Sequence, residues 1–174
     1  MPPNRPSQNI PANLPAVEHT DVLPSSTRVL RQFRIVFNAV KTHFRSVEKE
    51  AGIGGAQVWA LSVIGKYPGI GIGDLAKELD VHQTTASNLV KILVAQNLVE
   101  QGKSETDRRA VTMRLSVEGQ QRLDKAPLPF AGVLPNALSS MDEQTLAMME
   151  QDLGTLIAIL AADSDSANTP LAEL

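Results

Sequence analysis

Five polar side chains recur at helical spacing in the stretch QTTASNLVK, where they could form hydrogen bonds with an extended partner. They are Gln83, Thr84, Ser87, Asn88 and Lys91. The apolar residues Ala86, Leu89 and Leu93 fall on the opposite side of a helix, so the polar set faces outward. Amide and hydroxyl groups suit the base edges of a DNA major groove, and a lysine can reach guanine or phosphate. The alternative is a surface helix that is merely rich in small polar residues.

A second cluster lies in SETDRRAVTMRLSVEG, residues 104–119, where Arg108 and Arg109 follow Asp107. Short apolar-alternating runs flank this polar loop and can pair as two strands. An arginine at the tip of such a hairpin could contact phosphates or enter a minor groove, where negative potential is concentrated. Asp107 could hold Arg109 in a forked hydrogen bond that fixes its direction. The alternative is an ion pair that only steadies a surface hairpin.

The elements that must position both clusters are a helix-turn-helix and a following hairpin. Asp80 stands where the turn requires a left-handed backbone, which aspartate tolerates better than most residues. In the second strand, Val111, Met113 and Leu115 alternate inward. The apolar residues with helix-turn-helix spacing are Leu75, Ala76, Leu79, Val81, Ala86, Leu89 and Leu93. The sequence therefore predicts a mainly α fold with a small β-wing, a winged helix-turn-helix core flanked by further helices.

Two apolar seams lie at opposite ends of the chain. Residues 30–47 and residues 146–160 each carry large apolar side chains at spacings of three and four. Ser140 and Glu143 form a possible capping box for the last helix. The core between the seams is too small to cover both, so they predict N- and C-terminal helices that dimerise with a second copy. The alternative is an intrachain helical pair in a monomer.

Composition bounds the function. The 174 residues carry a net charge of −3, but all 16 Lys and Arg lie in the first 125 residues, which is compatible with one face meeting phosphate. The absence of cysteine excludes disulfides and thiolate metal sites. We find no metal-ligand spacing and no catalytic constellation, so we expect no cofactor, no metal and no enzyme activity. GIGIGD at residues 69–74 lacks a lysine and a preceding strand, and we interpret it as a turn.

No apolar run approaches the roughly 20 residues of a membrane span, and no leader opens the chain. We therefore expect a cytoplasmic protein without membrane contact.

Residues from about 56 to 119 resemble the winged-helix core of the MarR (multiple-antibiotic-resistance regulator) family. The matching stretches are AQVWALSVI, GDLAKELDVHQTTASNLVKILVAQNLVE and TDRRAVTMRLSVEG. The resemblance implies a homodimer that binds double-stranded DNA at a pseudo-palindromic operator. Asp107 and Arg109 match the wing-tip pair of that family. Its base-reading positions correspond to Gln83, Thr84, Ser87 and Asn88.

The resemblance also implies a crevice for small aromatic acids between the dimer helices and the winged helix. Phe37, His43, Phe44 and Trp59 could line such a crevice, although each also fits ordinary core or surface. The sequence departs from the family at His82, where a small capping residue is usual. Prolines at positions 127, 129 and 135 must kink or break a helix that is usually long.

The predicted organisation has five parts. They are a proline-rich flexible arm (1–27), an N-terminal dimerisation helix (28–52), a winged helix-turn-helix DNA-binding domain (53–119), C-terminal dimerisation helices (120–163) and a tail (164–174). The predicted function is that of a sequence-specific DNA-binding transcriptional regulator, a homodimeric repressor released by a small aromatic ligand. The alternative is a winged helix that binds protein instead of DNA, with a weak dependence on salt.

Overall fold

The computed structural model describes residues 23–103, 111–163 and 167–173. In chain order the elements are α1 (Ser25–Ala51), α2 (Gly55–Lys66), β1 (Ile70–Gly71), α3 (Ile72–Glu78), α4 (Gln83–Ala95), β2 (Val99–Lys103), β3 (Val111–Leu115), α5 (Val117–Lys125), α6 (Val133–Leu138), α7 (Glu143–Leu160) and a 3-10 turn (Leu171–Glu173). The strands form one antiparallel sheet in the order β1-β3-β2. The predicted mainly α fold with a small wing is confirmed.

The hydrophobic core lies among α2, α3, α4 and the sheet. Its largest fully buried side chains are Leu61, Ile64, Leu75, Leu79, Leu93, Met113, Val47 and Val58. Among the described residues, no polar or charged side chain is buried. The interior is thus wholly apolar, and the polar side chains are left to the surface.

Two interactions stabilise the C-terminal end of α1. Gly52 adopts a left-handed backbone with φ 70°, and its N–H donates to the Glu48 carbonyl at 2.9 Å. The guanidinium of Arg122 on α5 donates to the Ala51 carbonyl at 3.1 Å and also pairs with Glu118 at 3.0 Å. A cation at a helix C-terminus is favourable because the last carbonyls carry partial negative charge. Arg122 therefore joins α1 to α5.

The first turn of α5 packs directly on the backbone that precedes the wing. The Ser116 hydroxyl accepts from the Gly119 N–H at 2.9 Å and donates to the Asn97 carbonyl at 2.6 Å. Gly119 lies so close to Leu98 that an added Cβ would overlap the Leu98 carbonyl oxygen. These contacts explain two residues that follow strand β3. Ser116 caps α5, and Gly119 allows the helix to approach the Leu98 backbone closely.

We expect Ser116→Ala to lower the free energy of unfolding by about 1 kcal/mol, the usual loss for an N-cap hydroxyl. Urea unfolding followed by circular dichroism measures it. Ser140→Ala is the matched control, because that hydroxyl caps no helix and donates to the exposed carbonyls of Ala137 at 2.7 Å and Asn136 at 3.3 Å. A loss at position 140 as large as that at 116 would contradict the assignment.

Two expectations about local structure are wrong. Part of the GIGIGD stretch is strand β1, in which Ile70 pairs with Met113 and Gly71 with Thr112. A two-residue strand is too short to show alternation in the sequence. The N-cap of α7 is Asp142 rather than Ser140. Thr145 donates to the Asp142 carboxylate from its backbone N–H at 2.9 Å and its hydroxyl at 2.7 Å, and these bonds lower the pKa of that carboxyl.

The helical region after the wing is interrupted, as the prolines predict. Helix α5 stops at Lys125, two residues before Pro127, and α6 spans only Val133–Leu138. Helix α7 has no buried residue. None of the helices in the described ranges is long and apolar enough to cross a membrane.

Candidate nucleic-acid interface

The turn between α3 and α4 has the predicted geometry. Asp80 adopts a positive φ of 48°, and the Val81 N–H donates back to the Ala76 carbonyl at 3.0 Å. Ala86 and Leu89 of α4 are buried against the core, while Val81 is half-buried. His82 is the N-cap of α4 and gives it no side-chain hydrogen bond. The burial of one side of α4 fixes which side faces solvent.

The outward side of α4 carries the predicted polar set as one continuous surface, hereafter the reader face. Its five residues line a single shallow depression and are Gln83, Thr84, Ser87, Asn88 and Lys91. Ser87 is half-buried and the other four are exposed. None of the five forms a side-chain hydrogen bond with another described residue. Their donors and acceptors are therefore free to bind an external partner.

The wing is described at its base only. Strands β2 and β3 pair from Val99 opposite Leu115 to Lys103 opposite Val111. The predicted tip residues Asp107, Arg108 and Arg109 lie outside the described residues. Of the three side chains predicted to point inward, Met113 is buried and Leu115 half-buried, but Val111 is exposed. Val111 lies at the outer end of the hairpin, opposite Lys103.

The predicted ligand-binding residues lie around two adjoining clefts. The inner cleft, of about 140 Å³, is lined by Phe44 and Trp59 together with Phe130. The outer cleft, of about 510 Å³, is lined by Phe37 and again by Phe44. His43 lines neither cleft.

The histidine lies just behind both clefts instead. Its Nε2 is 3.0 Å from the Pro129 carbonyl oxygen, and its ring meets that of Phe44 edge-on at 5.4 Å between centroids. His43 therefore positions Phe44. The position of this ring could not be read from spacing, because Pro129 is 86 residues away in sequence.

Sequence reasoning missed much of the lining of these clefts. The inner cleft also contacts the helix-turn-helix turn through Leu79, Asp80 and Val81. Lys41, Arg45 and Glu48 line the outer cleft. Residues 170–172, which were predicted to be part of a tail, line the inner cleft, and Leu171 and Ala172 line both. Within the described ranges, no group of three His, Cys, Asp or Glu side chains could hold a metal ion.

A helix-turn-helix pair followed by a small antiparallel wing defines a winged helix-turn-helix protein. A model of the MarR family matches residues 51–110. The match covers about a third of the chain and confirms the resemblance found in the sequence. The relative described next is named as a transcriptional regulator and not as an enzyme.

The chain is also similar in sequence to a curated protein. YhbI, an uncharacterized HTH-type transcriptional regulator of Bacillus subtilis (strain 168), is 24% identical over 94 residues, which cover 54% of this chain and 61% of YhbI. The chain thus matches about three-fifths of the length of that relative.

Two solved structures share the fold. A MepR-like protein complexed with pseudoligands has a TM-score of 0.52 at 19% identity and covers 77% of this chain and 94% of its own. A mutant of MarR from E. coli complexed with operator DNA has a TM-score of 0.51 at 17% identity, and the match covers 78% of this chain and 99% of that protein. At these identities the likeness establishes the winged-helix fold.

Proposed function

We propose that the protein is a transcriptional regulator that binds DNA sequence-specifically, acts as a homodimeric repressor in the cytoplasm and recognises a pseudo-palindromic operator. The reader face is the observation that carries this proposal: five side chains with free hydrogen-bonding groups face solvent together on α4. The operator DNA named for the E. coli MarR mutant supports it, since that protein shares the fold.

In this mechanism, α4 enters the major groove and presents amide and hydroxyl groups to base edges. The wing follows the groove, and Arg108 and Arg109 contact phosphate or the neighbouring minor groove, with Asp107 orienting Arg109. Two copies place their reader faces about 34 Å apart, one turn of the duplex. Phosphate contacts supply most of the affinity, and the reader face supplies the choice of sequence.

Dimerisation is supported by the apolar faces that the single chain leaves exposed. On α1 they include Val29, Leu30, Ile35, Val36 and Phe37, and on α7 Met148, Leu153, Ile157, Ile159 and Leu160. A monomer rarely leaves so many large apolar side chains in water on two helices. A second copy that packs α1 and α7 against their counterparts would bury them. We propose these two helices as the N- and C-terminal dimerisation elements.

The outer cleft supports the proposal that a small aromatic ligand releases the protein from DNA. Phe37 and Phe44 offer aromatic surface, and Lys41 and Arg45 offer positive charge at the same opening. This combination suits a small aromatic acid. Its binding between α1 and α2 would change how the winged helix is held against the dimer helices, and with it the spacing of the two reader faces.

The role of the reader face is tested by Asn88→Ala and Gln83→Ala. We expect each variant to lose about tenfold in discrimination between the selected operator and its point mutants, because one amide–base contact accounts for about 1–3 kcal/mol. The operator is selected from a random duplex pool with the unchanged protein, and affinities are measured by fluorescence anisotropy. Gln96→Ala, an exposed amide at the end of α4 outside the reader face, is the control. Equal loss on every sequence would show that these side chains do not read bases.

The rival function, a winged helix that binds protein, differs in its response to salt. For a DNA-binding protein, the logarithm of the binding constant falls linearly with the logarithm of the salt concentration, with a slope of about −0.9 for each phosphate contact. We expect a slope steeper than about −4 for the dimer. A flat response would favour the protein-binding role.

A further inference from the structure

The chain's own C-terminal segment, residues 167–173, lies in the cleft region between α1 and α2. Pro170 is buried and Ala172 is half-buried. Ala172 packs against the hydrophobic core. Together with Leu171, these residues form part of the walls of the two clefts described above. The segment is therefore a packed element of the fold.

Complementary features of α2 and α1 accommodate this segment. Gly55 begins α2, and a Cβ added there would lie 3.0 Å from the Ala172 Cβ and would overlap the Phe44 ring. The missing side chain lets Ala172 and Phe44 meet over the helix. The segment also matches the cleft in polarity: ANTPLA, residues 167–172, contains no charged residue, although the chain after residue 125 contains seven acids and no base.

The position of the segment connects two parts of the molecule. The inner cleft that the segment lines is also lined by Leu79, Asp80 and Val81, which lie at the turn between α3 and α4. Phe130, between α5 and α6, completes the lining. A ligand that displaces the segment thus alters a cleft that is also lined by the turn preceding α4.

We propose that residues 167–173 partly occupy the space shared by the inner and outer clefts, and that an apolar ligand gains full access to it only when the segment leaves. A ligand that binds a fractionally populated open state has its apparent affinity reduced by that fraction. The segment therefore sets the threshold concentration of any ligand that uses the cleft. The inference rests on the ligand cleft of the proposed function but is independent of DNA binding, so it is tested without DNA.

The test compares the full chain with a chain that lacks residues 167–174. The apolar dye ANS probes the cleft, and Trp59, the single tryptophan of the protein, reports from its wall. We expect the deletion to tighten ANS binding about tenfold. We also expect it to raise the acrylamide quenching of Trp59, because the deletion removes residues that line the same cleft and exposes the indole to the quencher. A free peptide of residues 167–174 added in excess should reverse both effects, whereas a scrambled peptide should not.

A point variant guards against misfolding of the shortened chain. Ala172→Arg places a long charged side chain against Gly55 and Phe44 and should reproduce both effects of the deletion. Ala95→Arg, at an exposed position at the end of α4, is the matched control and should change neither. Circular dichroism must show the same helix content in all four proteins. Unchanged ANS affinity and Trp59 quenching in folded Ala172→Arg protein would overturn the proposal, whatever the outcome of the DNA assays.

Discussion

Charging the exposed apolar faces of α1 and α7 is expected to split the dimer and abolish operator binding. Leu30 on α1 and Leu160 on α7 lie on the two predicted apolar seams and are 49% and 65% exposed in the single chain. The double variant Leu30→Asp with Leu160→Asp should therefore leave the fold of each protomer intact. Between two copies, the same carboxylates would be buried without partners, which costs several kcal/mol for each ion. We expect the dimer dissociation constant to rise about a thousandfold or more.

Sedimentation equilibrium measures the dissociation constant, and anisotropy with the selected operator measures DNA binding. The matched control is Val117→Asp, since Val117 is 78% exposed but lies at the start of α5, outside both proposed dimer helices. That variant should remain dimeric and bind DNA. A stable dimer in the double variant would show that these faces are not the interface, and a wild-type monomer that still binds operator would refute the two-fold mechanism.

Gly119→Ala is expected to lower the free energy of unfolding by about 3 kcal/mol, the upper range for overpacking. The added methyl group would overlap the carbonyl oxygen of Leu98. Because the obstacle is backbone, no side-chain rotation relieves it, and α5 must move away from the strand that enters the wing. Urea unfolding measures the change. We also expect weaker operator binding, because the wing hairpin is held by this contact at its base.

The control for this prediction is Gly73→Ala in α3, where an added Cβ meets nothing within 4 Å. There alanine should stabilise the protein by about 0.5–1 kcal/mol, since glycine is a poorer helix residue. Opposite signs at the two glycines would establish that close approach, rather than helix propensity, decides the outcome at Gly119. Equal effects would contradict the packing described for α5.

The helix-turn-helix could be predicted from sequence because its signals are local. The spacing of Ala86, Leu89 and Leu93 determines which side of α4 is buried, and the reader face follows from helix geometry. Asp80 could be placed in the turn because few residues adopt its backbone conformation. The strand pair of the wing was found from its alternation, although Val111 lies too far out to be covered.

The features that were not predicted depend on contacts between distant parts of the chain. Strand β1 exists because β3 offers it a partner, and two residues carry no periodicity of their own. The cap of α7 is a local exception: Asp142 accepts from Thr145 only three positions further on, and Ser140 two residues earlier offered a competing pattern. The packing of Ala172 on Gly55 joins residues more than a hundred positions apart, so neither shows in the sequence that it has a partner.

The bond from Arg122 to the last carbonyl of α1 has a mechanical consequence. It fastens the helix proposed to join the two subunits to the helix that continues from the wing, close to where α1 ends at Gly52. If α1 tilts, either α5 moves with it or the hydrogen bond between Arg122 and Ala51 breaks. A force applied at the proposed subunit interface would therefore reach α5, and with it the base of the wing, in part through this guanidinium.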